Sequence, residues 1–371
     1  MFDNKDFENY ITMTLNKLGS GSFGKVYLCY DKETGKEMAI KLEKKNKHNT
    51  LYREFKTSMI VHNVKKYIMS KDNLMLEHPT IKIYEWITKN NLLNIPNVLS
   101  MEKLFKNQNI IPQPFTYYTN DEEYNYLTME LCGDNFENII KKYTLTEECK
   151  YYIAFNLLHI ISCFHRCGII HRDIKLANIV LNKKISSVNN FNELKLILID
   201  LGLAKEYYSL DGDKVVNVKT KQNKSITGTI RYLSLNVHEY YSPSIVDDLI
   251  GICYVLIHIF TYDINGYGLP WIGHKKDNKK FERKKHSHKN CQCGYHSNLA
   301  NNCLKGNNTI AEIKYHTDLD TLCHNYTFLK KWLNYLYSLK INQLPSYNIL
   351  FTLLFEETKD MKNLKFNFDK K

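Results

Sequence analysis

The segment His171-Arg172-Asp173-Ile174-Lys175-Leu176-Ala177-Asn178 gathers an acid, a cation and a neutral amide into one short loop. Asp173 can accept the proton of an attacking hydroxyl. Lys175 can neutralise charge on a transferring phosphoryl group, and Asn178 can offer an oxygen to a metal ion. Phosphoryl transfer needs little covalent help, so positioning and charge stabilisation supply most of its rate. These side chains at these offsets are the groups such a step requires.

Two further segments carry complementary chemistry. Leu18-Gly19-Ser20-Gly21-Ser22-Phe23-Gly24-Lys25-Val26 has the spacing G-x-G-x-x-G-x-V, and its glycines let backbone N–H groups approach phosphate oxygens. Dinucleotide-binding folds use a similar spacing but open into a helix. Here β-branched and aromatic Val26-Tyr27-Leu28-Cys29-Tyr30 follows, then the turn Asp31-Lys32-Glu33-Thr34-Gly35, so the segment reads as strand, turn, strand and hairpin. The next apolar strand, Met38-Ala39-Ile40-Lys41-Leu42, holds one lysine. A buried lysine is costly without an anionic partner; nucleotide phosphates and Glu54 are the expected partners, the rival being that Lys41 snorkels from an edge strand. Leu196-Ile197-Leu198-Ile199 then runs into Asp200-Leu201-Gly202. Asp200 is the expected ligand of Mg²⁺, which favours carboxylate and phosphate oxygens.

Elements must hold these groups together. A chain of 371 residues is long enough for two packed lobes, and 43% hydrophobic with 13% aromatic residues argues for a folded protein. Residues 12–130 read as a strand-rich lobe with one helix near 49–62. Ile81 to Ile87 has helix-like apolar spacing in the stretch that follows. Thr146 caps a helix running to about His165, with Leu157, Leu158, Ile161 and Phe164 on one face. The stretch from about Ser244 to Phe260 is apolar nearly all round, which marks a core helix. Asp248 at its start would be an expensive buried charge, so it is expected to accept from backbone N–H groups of the 171–178 loop. Helices over about Tyr326–Leu339 and Ser346–Phe355 close a helical lobe spanning 134–357, leaving 358–371 as a short tail. The fold class is α+β with two lobes.

Composition bounds the setting. Met1-Phe2-Asp3-Asn4-Lys5 carries no apolar signal core, and the run Leu249–Phe260 is short for a bilayer and contains His258. The reading is an intracellular protein, cytoplasmic or nuclear, away from membranes, with its ten cysteines reduced. About half of the net charge of +12 comes from one run, Lys275, Lys276, Lys279, Lys280, Arg283, Lys284, Lys285 and Lys289 against Asp277 and Glu282. An acidic partner suits that run. Nucleic acid is disfavoured, because Phe281 is the only aromatic there to stack on a base.

The 171–178 loop, the glycine segment and the 200–202 motif together resemble those of protein kinases. Thr227-Gly228-Thr229-Ile230-Arg231-Tyr232-Leu233-Ser234-Leu235-Asn236 narrows this. Where most protein kinases carry Ala-Pro-Glu, Ser234-Leu235-Asn236 looks like the Ser-Ile-Asn element of the casein kinase 1 family. Ala39-Ile40-Lys41-Leu42-Glu43, Leu201-Gly202-Leu203-Ala204-Lys205, Asp247-Asp248-Leu249, Leu269-Pro270-Trp271-Ile272-Gly273 and Leu344-Pro345-Ser346-Tyr347 agree with it. The resemblance implies a bilobal kinase domain over 12–357 and a serine/threonine kinase acting as a monomer. It assigns Asp173 and Lys175 to catalysis, and Asn178 and Asp200 to Mg²⁺. ATP is expected on residues 18–26, Ala39, Lys41, Glu54 and the hinge Met129-Glu130-Leu131. The family favours acidic or phospho-primed protein substrates, which implies anion-binding roles for Arg231, Lys224, Lys205, Lys275 and Lys279. The chain departs from the family pattern at Leu201, at Ile250-Gly251-Ile252-Cys253, and in insertions near 63–107, 182–194 and 285–320.

In the last insertion His286, His288, Cys291, Cys293, His296 and Cys303 offer zinc ligands. Zn²⁺ is disfavoured there, because Cys-x-Cys is tighter than the usual knuckle and no second cysteine pair follows. Two rivals to an active kinase are a pseudokinase that binds nucleotide or partners without turnover, and a nucleic-acid adaptor on the same fold. The first is opposed by the joint presence of Lys41, Glu54, Asp173, Asn178 and Asp200.

Overall fold

Alternating apolar and polar residues in the N-terminal third build a five-stranded antiparallel sheet, in the order β1-β2-β3-β5-β4. Its strands are β1 (Ile11–Gly21), β2 (Gly24–Asp31), β3 (Glu37–Lys44), β4 (Pro114–Thr119) and β5 (Tyr124–Glu130). The computed structural model describes residues 11–21, 24–45, 49–96, 100–119, 123–217, 225–266, 268–272, 310–340, 343–361 and 364–371. β3 is an interior strand, so Lys41, opposite Val26 on one side and Leu127 on the other, does not snorkel from an edge.

Helix α1 (Thr50–Ser70) starts where Asn49 accepts from the Tyr52 N–H. The Glu43 carboxylate on β3 accepts from the Thr50 and Leu51 N–H groups at 3.2 and 2.7 Å, tying the helix start to the sheet. Glu54, one turn in, is thereby set beside Lys41. The helix runs past the expected end at His62, because Val64 is fully buried and the turn closes only at Lys71 in a left-handed conformation.

The described part of the 63–107 insertion is folded. It carries α2 (Pro79–Lys89), opened by a proline and capped by His78, and α3 (Met101–Asn107), capped by Ser100. Ile81, Ile83, Tyr84 and Ile87 form the buried face of α2. Tyr84 meets Tyr67 of α1 edge-on at 6.3 Å, and the Arg166 guanidinium lies 5.8 Å from its ring. Trp86 packs edge-on against Tyr208 at 5.3 Å, in the hairpin formed by Tyr208–Asp211 and Lys214–Asn217.

The second lobe is helical: α4 (Phe136–Lys142), α5 (Glu147–Arg166), α6 (Leu235–His238), α7 (Ile245–Asn265), α8 (Ile310–His316), α9 (Leu319–Cys323), α10 (Thr327–Ser338) and α11 (Tyr347–Thr358). Thr146 caps α5 by accepting from the Cys149 N–H. α7 is long and apolar enough for a bilayer by composition, yet 94% of that stretch is buried inside the lobe, where α5 and α10 pack on it. The short tail expected at 358–371 is tied back to the helical lobe at its end. Phe368–Lys370 pairs antiparallel with Tyr143–Leu145, and Phe366 and Phe368 are buried. Phe368 opens this short strand, Phe366 is buried just before it, and Phe191 of the 182–194 insertion meets Phe368 at 5.4 Å.

Candidate active site

A cleft of about 350 Å³ opens between the sheet and the helical lobe. Leu18, Gly19, Ser20, Gly21, Gly24, Val26 and Ala39 form its sheet side, and Met129, Glu130 and Leu131 its back edge. The register sets Gly19 against Val26 and Gly21 against Gly24 across the tight turn. Gly24 has φ +136°, and a Cβ there would lie 2.1 Å from the Leu42 carbonyl oxygen, so only glycine fits. Lys25 falls outside the lining: it is exposed, because the alternation that turns Val26 toward the cleft turns its neighbour away. Ser22 and Phe23 lie outside the described residues.

Lys41, Glu54 and Asp200 line the same cleft. Lys41 Nζ donates to Glu54 Oε2 at 2.6 Å and to Asp200 Oδ1 at 2.8 Å. Burial alone would pull the Lys41 ammonium down, but the two carboxylates outweigh it and hold its pKa above the ordinary lysine value. Two acids share one ammonium. Burial raises Glu54, whereas at Asp200 the Lys41 charge overcomes burial and holds the carboxyl below its ordinary value. Asp200 has the more exposed side chain, 20% against 6%, and so keeps its charge more cheaply.

Across the cleft, Asp173 has both oxygens engaged. Lys175 Nζ donates to Oδ2 at 2.6 Å, and the Thr229 hydroxyl donates to Oδ1 at 2.6 Å. Asn178 Nδ2 donates to the Asp173 carbonyl at 2.9 Å and to Oδ2 at 3.2 Å. The Asn178 amide nitrogen is thus committed inward, and its acceptor oxygen is the group that remains for a cation. With the Asp200 carboxylate this is a hard-oxygen pair, which suits Mg²⁺ shared with nucleotide phosphates. Among the described residues no three His, Cys, Asp or Glu side chains converge into a metal cage.

Asp248 holds the loop from behind. Its carboxylate accepts from the His171 N–H at 2.6 Å and the Arg172 N–H at 2.8 Å, and His165 Nε2 lies 3.1 Å away. Burial would raise its pKa, but hydrogen bonding and the nearby His165 and His171 hold it below the ordinary aspartate value. Arg172 has φ +67°, and its Nε donates to the Leu203 carbonyl at 2.6 Å. Gly228 lies against it with φ +102°, where a Cβ would be 2.5 Å from the Arg172 carbonyl oxygen. Ser234 donates to Asp247 Oδ1 at 2.5 Å, and Asp247 in turn caps α7 through Ser244.

Of the expected anion-binding residues, Lys205 and Arg231 are described, and each has neighbours of its own. Lys205 is exposed, and burial together with Arg172 pulls its ammonium down. Burial and the neighbouring Arg53 bring Arg172 to about 10. Arg231 sits instead 6.0 Å from the Tyr232 ring, and its own carbonyl accepts from Trp271 Nε1 at 2.8 Å. Lys224, Lys275 and Lys279 lie outside the described residues, as does the His286 to Cys303 patch. Pro112, Asn135, Ala177, Val180 and Ile199, which were given no role from the sequence, also line the cleft, as does Gly133. Most are small or apolar; Asn135 caps α4, Ala177 lies inside the 171–178 loop, and Ile199 ends the apolar segment before Asp200. Cys132 also lines the cleft, and burial pushes its thiol up to about 12, so it is a packing residue rather than a nucleophile.

The family model for the protein kinase domain matches residues 64–264, more than half of the chain. The match takes in the 171–178 loop, Asp200 and Thr229, while the glycine turn and Lys41 precede it. With the two-lobed fold and the cleft between the lobes, this makes the chain a member of the protein kinase family.

Proposed function

We propose that this chain is an active serine/threonine kinase of the casein kinase 1 type, transferring the γ-phosphate of ATP to acidic or phospho-primed proteins, as a monomer inside the cell. The observation that carries the reading is the double engagement of Asp173 by Lys175 and Thr229 across the cleft from Lys41 and Asp200. In this reading Asp173 orients the incoming hydroxyl and takes its proton, and Lys175 offsets charge on the moving phosphoryl group. Lys41, fixed by Glu54, grips the nucleotide phosphates. Asp200 and Asn178 would hold Mg²⁺, which would neutralise charge on those phosphates. Acidic substrates are supported by Arg53, Arg172 and Lys205, whose charges press on one another beside the 200–206 segment.

The test is radiolabelled ATP with casein and paired primed and unprimed peptides, using wild type, Asp173→Asn and Asp200→Asn. Transfer to serine or threonine that both variants lose supports the reading, with Asp200→Asn also weakening Mg²⁺-dependent nucleotide binding. A preference for the primed peptide that fades with salt supports the acidic-substrate part, since exposed charges are screened. Equal use of both peptides overturns that part, and an inactive wild type overturns the whole.

A further inference from the structure

The substrate-side loop runs Thr229-Ile230-Arg231-Tyr232-Leu233, and its only regular structure is the single 3₁₀ turn Ile230–Tyr232. Such a turn has poor hydrogen-bond geometry and does not hold itself. Yet Thr229 at its start must keep a hydroxyl 2.6 Å from Asp173. Something outside the loop fixes it.

Two side chains from later in the fold take its carbonyls. Lys314 on α8 is buried, and its Nζ donates to the Ile230 carbonyl at 2.8 Å and the Leu233 carbonyl at 2.7 Å. His238 Nε2, on the short helix that follows the loop, lies 3.3 Å from the same ammonium. Trp271 Nε1 takes the Arg231 carbonyl between them at 2.8 Å. The rings of Tyr254 and Trp271 flank the ammonium at 5.1 and 5.2 Å, which favours its charge. Two carbonyls and an imidazole nitrogen thus lie within hydrogen-bonding distance of the one ammonium.

We propose that Lys314 is a positioning residue for phosphoryl transfer. It clamps both ends of the 230–233 turn, so that Thr229 stays on Asp173 and the loop presents a fixed edge to the substrate chain. The inference rests on the kinase reading above and assigns Lys314 no contact with ATP or with the transferring phosphate. Nothing in its local sequence, Glu312-Ile313-Lys314-Tyr315, marks it out from the other exposed-looking lysines of the chain.

Lys314→Met keeps the length and the apolar contacts with Tyr254 and Trp271 while removing the donors. A charge-assisted hydrogen bond is worth roughly tenfold or more in an equilibrium. Peptide KM should therefore rise about tenfold and kcat fall, with nucleotide affinity changed by less than about twofold. Amide hydrogen exchange at Tyr232 and Leu233 should speed up by at least a similar factor. Lys314→Arg, which restores charged donors, should recover part of both effects. Lys314→Gln carries the same comparison if the methionine variant does not fold. Variants that fold with unchanged peptide KM and unchanged exchange overturn the proposal. So does an equal loss for peptide and nucleotide, which would make the residue merely structural. If wild type transfers no phosphate to any peptide, the kinase reading fails, and the exchange measurement alone decides whether Lys314 clamps the loop.

Discussion

The Thr229 hydroxyl and the Lys175 ammonium approach opposite oxygens of Asp173 at the same 2.6 Å, although Thr229 lies 56 residues further along the chain. A carboxylate held at both oxygens has one orientation, which is what a proton acceptor for a positioned hydroxyl requires. Asp173→Asn should lower turnover by about 10²–10⁴, the usual range for losing a general base. Nucleotide affinity should survive, because Asp173 does not line the cleft. Thr229→Val removes one orienting bond and should cost turnover about tenfold. Steady-state kinetics beside nucleotide titration separates the two effects, and parallel loss of binding in Asp173→Asn would refute this division of labour.

Asp248 makes a different kind of contribution, because it reaches the loop from α7 and never enters the cleft. Replacing it with alanine strands the buried His171 and Arg172 N–H groups, each costing roughly 1–3 kcal/mol. Asp248→Ala should therefore be among the most destabilising single changes in the lobe. Asp248→Asn keeps one acceptor oxygen and should fall between. Urea unfolding of the three proteins checks the order. A variant as stable as wild type would mean that the loop finds other partners.

What was legible in the sequence follows from how far apart the partners are. The 171–178 groups lie next to one another, so spacing alone displayed their chemistry. Asp248 was foreseeable from cost, since a carboxylate at the head of an apolar helix needs donors and the loop supplies them. Glu54 was foreseeable as the counter-charge that an interior lysine demands. Thr229, Trp271 and Lys314 reach their positions only through the packing of distant elements, and no local pattern encodes that. Lys25 lies within the glycine motif, yet strand alternation turns its side chain away from the cleft, which motif spacing alone does not display. The tail carries a weaker signal: Phe366 and Phe368 are both buried, and Phe368 begins the strand that pairs with 143–145.

Helix α2 bridges two elements that lie far apart along the chain, α1 and the 208–217 hairpin. Its Tyr84 touches α1, the helix that carries Glu54, and its Trp86 touches Tyr208 in the hairpin after the Asp200 segment. Lys82 adds an exposed pair with Asp213 at 3.1 Å, of little energetic weight. Trp86→Ala removes a large aromatic contact that is only partly buried, and a loss of about 1–3 kcal/mol is expected. Exchange in the 208–217 hairpin should rise more than in the β1–β5 sheet, because the contact is local to the hairpin. Hydrogen-exchange mass spectrometry reads this directly, and uniform loosening would argue against a bridge.

Stability should also depend on pH through two buried histidines. Burial, with the Arg231 and Lys141 charges nearby, pulls His258 down to about 3, and burial with Arg166 pulls His159 down to about 4. Both lie below the ordinary value of 6.5, so the unfolded chain takes up protons first as pH falls. Their contribution is fully present above pH 6.5 and declines below it, until the folded-state values are reached. Well below 6.5 each group removes about 1.4 kcal/mol of stability per pH unit. His258 Nδ1 sits 2.9 Å from the Tyr232 hydroxyl, and glutamine at that position offers a hydrogen-bonding group that does not titrate. Between pH 7 and pH 5, His258→Gln should therefore lose about 2 kcal/mol less than wild type, whatever its stability at neutral pH. Urea unfolding at pH 7, 6 and 5 measures the difference. Identical pH dependence in the two proteins would place the titration elsewhere, with His159→Gln as the next variant to compare.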